Sequence, residues 1–173
     1  KDGNKKELET DCILVSIGRK PNTDGLNLKA IGLSTDAQGF LTVDEARRTA
    51  IPHIFAIGDV AGQPMLAHKA YREAKVAAEV IAGHPSAYDV RVVPAVMFTD
   101  PEIASVGMTE AQAKEAGYEV KTGVFPWNAS GRAMTLSTDG VTKIVSDAAT
   151  DRLLGVHIAG AHAAELLGEG TLA

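Results

Sequence analysis

One cysteine, Cys12, occurs in 173 residues. It has no partner for an internal disulfide, so no disulfide framework holds this fold. The 17 Lys and Arg are outnumbered by 22 Asp and Glu, and no basic block stands out, which argues against nucleic acid and against an anionic membrane surface. No apolar run approaches the ~18 residues that span a bilayer. The first ten residues, "KDGNKKELET", contain neither an initiator Met nor the apolar core of a signal peptide. The last, "AAELLGEGTLA", stop inside an expected helix. Both ends are read as cuts in a longer protein. No short repeat, low-complexity tract or G-x-G-x-x-G is found. No pair of histidines has metal-ligand spacing with a Cys or carboxylate, and Asp147, Asp151 and Glu165 are not placed as a general acid–base couple. No metal site and no general acid–base couple is therefore expected from these residues.

What remains is ordinary globular material: 45% hydrophobic and 23% charged residues, long enough for one sizeable domain or two small ones. "DCILVSIG" (11–18) is a continuous apolar run ending in Gly18, fit for a strand covered on both faces, with Cys12 packed inertly inside it. "GRKPNTDGLN" (18–27) is turn-rich, and Arg19 and Lys20 are expected in solvent, with attraction of a phosphate as the alternative. "NLKAIGL" (27–33) suits a short helix closed by Gly32. "GFLTVDE" (39–45) and "HIFAIGD" (53–59) read as two further strands. Pro64 then precedes a long helical pattern, "MLAHKAYREAKVAAEVIAG", with Leu66, Ala70, Ala74, Ala77, Ala78 and Ile81 on one stripe and Gly83 and Pro85 ending it.

The style changes near residue 90. "VVPAVMFTDPEIASVGMT" holds two short strand patterns around Asp100-Pro101. Thr109 with Gln112 forms a capping-box signature, and Gly117 closes that helix. "YEVKTGVF" (118–125), "GVTKIVSD" (140–147) and "LLGVHIAG" (153–160) read as strands, with Asp139-Gly140 and Thr150-Asp151 as turns and a helix from His162. Phe125 and Trp127 are expected in a core or an interface. The fold class is thus an α/β part with parallel-type strands, followed by an α+β part with an antiparallel sheet.

Several of these segments also resemble a known family when taken in order. "TAIPHIFAIGD" (49–59) is similar to the second flavin motif of two-dinucleotide flavoproteins, and "GRKPNT" (18–23) to the end of their NAD domain. "PMLAHKA" (64–70), "FTDPEIASVG" (98–107), "DGVTKIV" (139–145) and "DRLLGVHIAGAHAAEL" (151–166) resemble the dihydrolipoamide dehydrogenase family of flavoprotein disulfide reductases. The ordered set covers nearly the whole chain. The resemblance implies a remnant of FAD- and NAD-binding domains: 1–38 as the end of the NAD domain, 39–90 as the C-terminal part of the FAD domain, and 91–173 as a truncated interface domain.

It also implies site residues. Ligands of open α/β folds lie beyond the carboxyl ends of strands. Asp59 would accept a hydrogen bond there from the ribitol of FAD, with Gly58 letting the cofactor close to the backbone. A plain Gly-Asp turn, with the Asp capping its neighbours, is the bland alternative. Met65, Leu66, Ala67 and His68 would offer backbone amides and a helix N-terminus to the flavin's pyrimidine edge, where reduction places negative charge. The alternative is an ordinary amphipathic helix. Gly18 would contact NAD, or simply begin the turn before Pro21.

By the same resemblance the parent protein is an oxidoreductase that reoxidises dihydrolipoamide with NAD through FAD. Its redox disulfide, Gly-rich fingerprints and catalytic His-Glu pair fall outside this span, so the chain alone is expected to be inactive. The implied partners are a second copy through residues 91–173, and the lipoyl domain and core of a 2-oxo acid dehydrogenase complex. A bacterial cytoplasm is the implied compartment, a mitochondrial matrix its alternative. Two other readings remain open: a flavoprotein disulfide reductase with a different substrate, and a stand-alone dimerisation or binding module without chemistry.

Overall fold

The computed structural model describes residue 5 and residues 7–173. It divides into two compact units between His84 and Pro85.

Turns and side-chain caps hold the first unit. Leu28–Ile31 form a short 3-10 helix closed by Gly32, as the pattern there predicts. The Asp36 carboxylate accepts the N–H groups of Gln38 and Phe40 at 2.8 and 2.9 Å, and Asp44 accepts that of Arg48 at 2.8 Å. Such short carboxylates stabilise turns by substituting for backbone acceptors. A minimal antiparallel pairing follows: Thr49 N–H donates to Ile54 C=O (2.9 Å) and Ala56 N–H to Arg47 C=O (3.1 Å). The Arg48 guanidinium stands 5.7 Å from the centre of the Phe55 ring. Helix α1, Ala67–Ile81, then closes the unit. Gly83, with φ 84°, and His84 return their N–H groups to the carbonyls of Val80 and Glu79, the double closure that a left-handed residue permits.

Three expected strands do not form. Segments 11–18, 39–45 and 53–59 have no ladder, and the last two contribute only isolated bridges, Leu41 to Thr35 and Phe55 to Arg48. Leu14 and Ile17 are 90% and 95% exposed, and Cys12 is exposed rather than packed. The apolar run is strand-like in composition, but a central strand also needs neighbours that take its N–H and C=O groups. Among the described residues no strand pairs with it. The stripe expected on α1 is also displaced. Its buried positions are Lys69, Glu73, Val76 and Ala77, while Ala78 and Ile81 face out. At 100° per residue this face is rotated by about a quarter turn from the apolar stripe.

The second unit, Pro85–Ala173, is built on a five-stranded antiparallel sheet. Its elements are β1 (Ala95–Met97), β2 (Ile103–Gly107), α2 (Glu110–Glu115), β3 (Val120–Pro126), α3 (Gly131–Thr135), β4 (Gly140–Asp147), β5 (Leu153–Gly160) and α4 (Ala163–Leu172), with spatial strand order β1-β2-β5-β4-β3. The strands and helices expected here are present. The 3-10 turn Trp127–Ala129 and α3 were not foreseen, because "WNASGRAMT" has no apolar period; its one signal is Ser130, whose hydroxyl caps Ala133 N–H at 3.5 Å. The capping box is complete: Thr109 Oγ1 accepts Gln112 N–H, and Gln112 Oε1 accepts Thr109 N–H at 2.9 Å.

The period of two sorts the sheet's faces. Ala104, Val106, Val156 and Ile158 point to one side and form the core with Trp127, Ala133, Ala163 and Leu167. Trp127 lies flat over two glycines of neighbouring strands. A Cβ on Gly160 would stand 2.3 Å from its ring, and one on Gly140 2.5 Å, so only glycine admits the indole. Its Nε1–H donates to Thr142 Oγ1 at 3.0 Å. The opposite face carries Ser105, His157 and Lys143 in register. His157 Nε2 lies 3.1 Å from Met108 C=O, which can only accept, so Nε2 bears the proton; Nδ1 lies 3.1 Å from Ser105 Oγ. Lys143 and Lys114 each place an ammonium 2.7 Å from a Glu110 oxygen and lower its pKa from 4.5 to about 2.

Candidate functional site

The candidate site gathers at the start of α1, within the first unit. Ile57 is extended (φ −137°, ψ 162°), and Gly58–Ala61 turn into a 3-10 helix. Gly58 carries φ 74°, a conformation that favours glycine, and a Cβ there would reach 3.4 Å from Ala70 of α1. The small residue is thus favoured by the positive φ of the turn, while the helix packed on it would meet a Cβ only at ordinary contact distance.

What holds this turn is a buried charge network. Lys69 is 5% exposed and Glu73 fully buried, an unusual place for either side chain. Lys69 Nζ donates to Gly58 C=O (3.2 Å), to Gly62 C=O (3.0 Å) and to Glu73 Oε2 (3.2 Å), with Oε1 3.1 Å away. All three ammonium donors have acceptors. Glu73 Oε2 accepts Gly58 N–H at 2.7 Å, and Oε1 accepts Arg47 Nη1 at 3.0 Å. A buried ion pair is tolerated when its remaining hydrogen-bonding groups are satisfied in this way.

Asp59 stands on the clamped turn with its side chain 47% exposed and 3.6 Å from Arg19 Nη1. The other terminal nitrogen of Arg19 donates to Met65 C=O. One guanidinium therefore connects the segment after Gly18, the Asp59 turn and the approach to α1, while the Arg19 side chain stays largely exposed, as expected. Gly18 itself is exposed, with φ 140° and open space around its Cα.

The four residues expected to begin the helix divide into two pairs. Met65 is buried and Leu66 half-buried, and both precede α1. Met65 N–H donates to Gln63 Oε1 (3.2 Å), and Leu66 N–H to Pro64 C=O (2.9 Å). Ala67 and His68 lie exposed in the first turn, and the α1 ladder begins with Ala70 N–H to Leu66 C=O at 3.2 Å. The end of α1 that carries its positive partial charge lies on this side of the helix. The cluster can thus accept a hydrogen bond from a hydroxyl at Asp59 and present a helix N-terminus to an electron-rich edge. That chemistry fits the ribitol and pyrimidine of a flavin. Among the described residues no group of His, Cys, Asp and Glu could hold a metal ion.

Lys69, Glu73 and Arg47 escaped the sequence reading. The spacing of Lys69 and Glu73 was visible, but an i, i+4 pair of opposite charge is the pattern of a solvated helix surface. Only burial distinguishes the two cases. The second unit contributes a different feature, an apolar groove of about 970 Å³ between the sheet, α3 and α4, lined in part by Leu136, Ile144, Leu153 and Leu166.

Residues 1–74 match the family model described as pyridine nucleotide-disulphide oxidoreductase, and residues 93–173 match that family's dimerisation domain. Over 99% of its length the chain is 51% identical to a dihydrolipoyl dehydrogenase of Halobacterium salinarum and 50% identical to one of Thermus scotoductus. It spans little more than a third of those relatives, 36% and 37% of their lengths. Among solved structures, LpdA from Mycobacterium tuberculosis is similar over 91% of this chain and 35% of its own, with a TM-score of 0.80 and 31% identity. The HOCl-induced flavoprotein disulfide reductase RclA from Escherichia coli is similar over 91% of this chain and 37% of its own, with a TM-score of 0.81 and 28% identity.

Proposed function

The chain belongs to the pyridine nucleotide-disulphide oxidoreductases, and on that premise we propose that it is part of a dihydrolipoyl dehydrogenase, an FAD-dependent enzyme that reoxidises dihydrolipoamide with NAD as acceptor. The observation that carries the reading into this chain's own residues is the cluster of Asp59, Arg19 and the start of α1, built on the segments that resemble the flavin motif. Bound FAD supplies two-electron transfer between a dithiol and the nicotinamide. Asp59 accepts a ribitol hydroxyl. The amides about Met65, Leu66, Ala67 and His68, with the helix N-terminus they lead into, favour negative charge on the pyrimidine edge. Met65 and Leu66 N–H are already engaged within the segment, so the burden falls on the α1 turn. Gly18 is assigned a contact with NAD.

No residue here is assigned to the chemical step. Two electrons leave dihydrolipoamide through a protein dithiol, and this span has one cysteine. We assign residues 1–38 to the end of the NAD domain, 39–90 to the FAD domain and 91–173 to the interface domain. The exposed run 11–18 then belongs to a sheet whose other strands lie elsewhere in the parent protein. The apolar groove and the match to a dimerisation domain support a homodimer through 91–173. The lipoyl domain and core of a 2-oxo acid dehydrogenase complex are the further partners. Among the described residues no helix is long and apolar enough to cross a membrane, and the relatives named above are archaeal and bacterial; a bacterial cytoplasm is the compartment we propose. Likeness to RclA favours a second reading, a flavoprotein disulfide reductase with another substrate. Roughly 50% identity to dihydrolipoyl dehydrogenases weighs against it.

The test is turnover by the parent protein. Dihydrolipoamide-dependent NAD reduction is expected, with none from these 173 residues alone. A flavin-loaded parent that ignores dihydrolipoamide but reduces another disulfide would select the second reading. NAD reduction by the purified chain would overturn the division of labour.

A further inference from the structure

Resting on the reading of Asp59 as the acceptor of a flavin hydroxyl, we propose that Lys69 and Glu73 are positioning residues for it, and that their buried pair sets flavin affinity by fixing the Gly58–Gly62 turn. Neither side chain reaches the site. Both act through backbone. Glu73 takes the N–H of Gly58 and Lys69 its C=O, so both polar groups of the residue before Asp59 are held from α1. Lys69 also takes the C=O of Gly62, at the far end of the turn. Asp59 therefore stands in a short loop tethered at both ends to the helix whose first turn forms the other half of the site.

An apolar pair could pack α1 on this turn with equal or greater stability, because a buried ion pair is weak as a stabiliser. It could not capture one N–H and two C=O groups at defined distances. The charges do what packing cannot: they fix the rotation of the turn, and hence the direction of the Asp59 carboxylate. Arg47 completes the arrangement by holding Glu73 Oε1 at 3.0 Å, while Oε2 grips Gly58.

The experiment uses the full-length parent loaded with and stripped of FAD, in residue numbers of this chain. Four variants are compared: Lys69→Met, Glu73→Gln, Asp59→Ala and the Asp59→Ala/Glu73→Gln double. Each is measured for FAD affinity by quenching of flavin fluorescence, for the flavin reduction potential, and for amide hydrogen exchange at Gly58–Gly62 in the apoprotein. Lys69→Met removes both carbonyl contacts while leaving Glu73 with Arg47 and Gly58. It is expected to weaken FAD binding about tenfold, the scale of one charge-assisted hydrogen bond. It also shifts the potential and speeds exchange across the turn. Glu73→Gln does the same. On the Asp59→Ala background it adds less than about twofold in FAD affinity, because its effect runs through Asp59.

Full additivity in the double variant overturns the proposal, since it marks a general loss of stability. If Asp59→Ala weakens FAD binding while Lys69→Met leaves affinity and potential unchanged, the proposal falls and the flavin reading stands. If Asp59→Ala leaves FAD binding unchanged, the flavin reading of Asp59 falls and takes the proposal with it. Should Glu73→Gln not fold, the Asp59→Ala/Lys69→Met double supplies the same comparison.

Discussion

Each strand of the sheet in Pro85–Ala173 finds its ladder partners within the unit, and the two longest, β4 and β5, are joined by a turn of a few residues. In the first unit the run 11–18 has strand composition of equal quality and no ladder at all. The difference is one of connectivity. An antiparallel pair can be closed by a short local turn, whereas a parallel pair requires a crossover and partners remote in sequence. Apolar pattern therefore makes a strand where the ladder partner lies within the unit, as β5 does for the remote β2, and makes none where no described segment pairs with it. The units also differ in what their interiors contain. The second has an apolar core around Trp127, Ile158 and Leu167; the first places a Lys–Glu pair at the centre of its helix contact.

Substitution should separate these two kinds of interior. The largest effect is expected at Glu73. Glu73→Ala leaves Lys69 buried without its carboxylate and should lower unfolding free energy by about 3–5 kcal/mol, read from denaturant midpoints. A loss below about 1 kcal/mol, the scale of an exposed pair, would mean that the pair is solvated. In the second unit Leu167 is 2% exposed against the sheet. Leu167→Ala should cost about 3 kcal/mol by lost transfer energy and cavity formation, with little change at α1. A cost at α1 of similar size would erase the contrast between the units.

Smaller effects sharpen the comparison. Thr109→Ala removes the hydroxyl of the capping box and should cost about 1 kcal/mol, seen as faster amide exchange in α2. The smallest concerns acid. Glu110 is held near pKa 2 by Lys114 and Lys143, below its ordinary 4.5. A depressed carboxyl stabilises the folded state fully above its unfolded pKa and loses that contribution as pH falls towards the folded one. The stability difference between wild type and Glu110→Gln should therefore shrink between about pH 4.5 and pH 2, and should already be reduced by salt, because the group is on the surface. A difference constant across that window would show that the ammonium groups do not act on Glu110.

The pattern of legibility follows the same physics. Thr109 with Gln112 announced α2, and alternation with turn residues announced β3, β4 and β5, because caps, hairpins and the period of two are local. Asp59 and the start of α1 were proposed from motif order, and the clamp beneath them had no signal there. Lys69 and Glu73 look in sequence like a surface pair, and the stripe read on α1 was about a quarter turn from the face it buries. Trp127 was foreseen as core or interface. That Gly140 and Gly160 are the floor on which its ring lies became visible only when the β4–β5 pairing set the two residues side by side beneath it.

The sequence by itself determined much of the local vocabulary: the caps of α2 and the end of α1, which segments are strand-like, and to which family the ordered motifs belong. These depend on interactions over a few residues, or on order along the chain. Tertiary structure decided which strand-like segments become strands, which face of α1 turns inward, and why a lysine and a glutamate are buried behind the Asp59 turn. Those outcomes depend on which groups meet across large separations in sequence, where desolvation must be offset by partners that no local pattern can name.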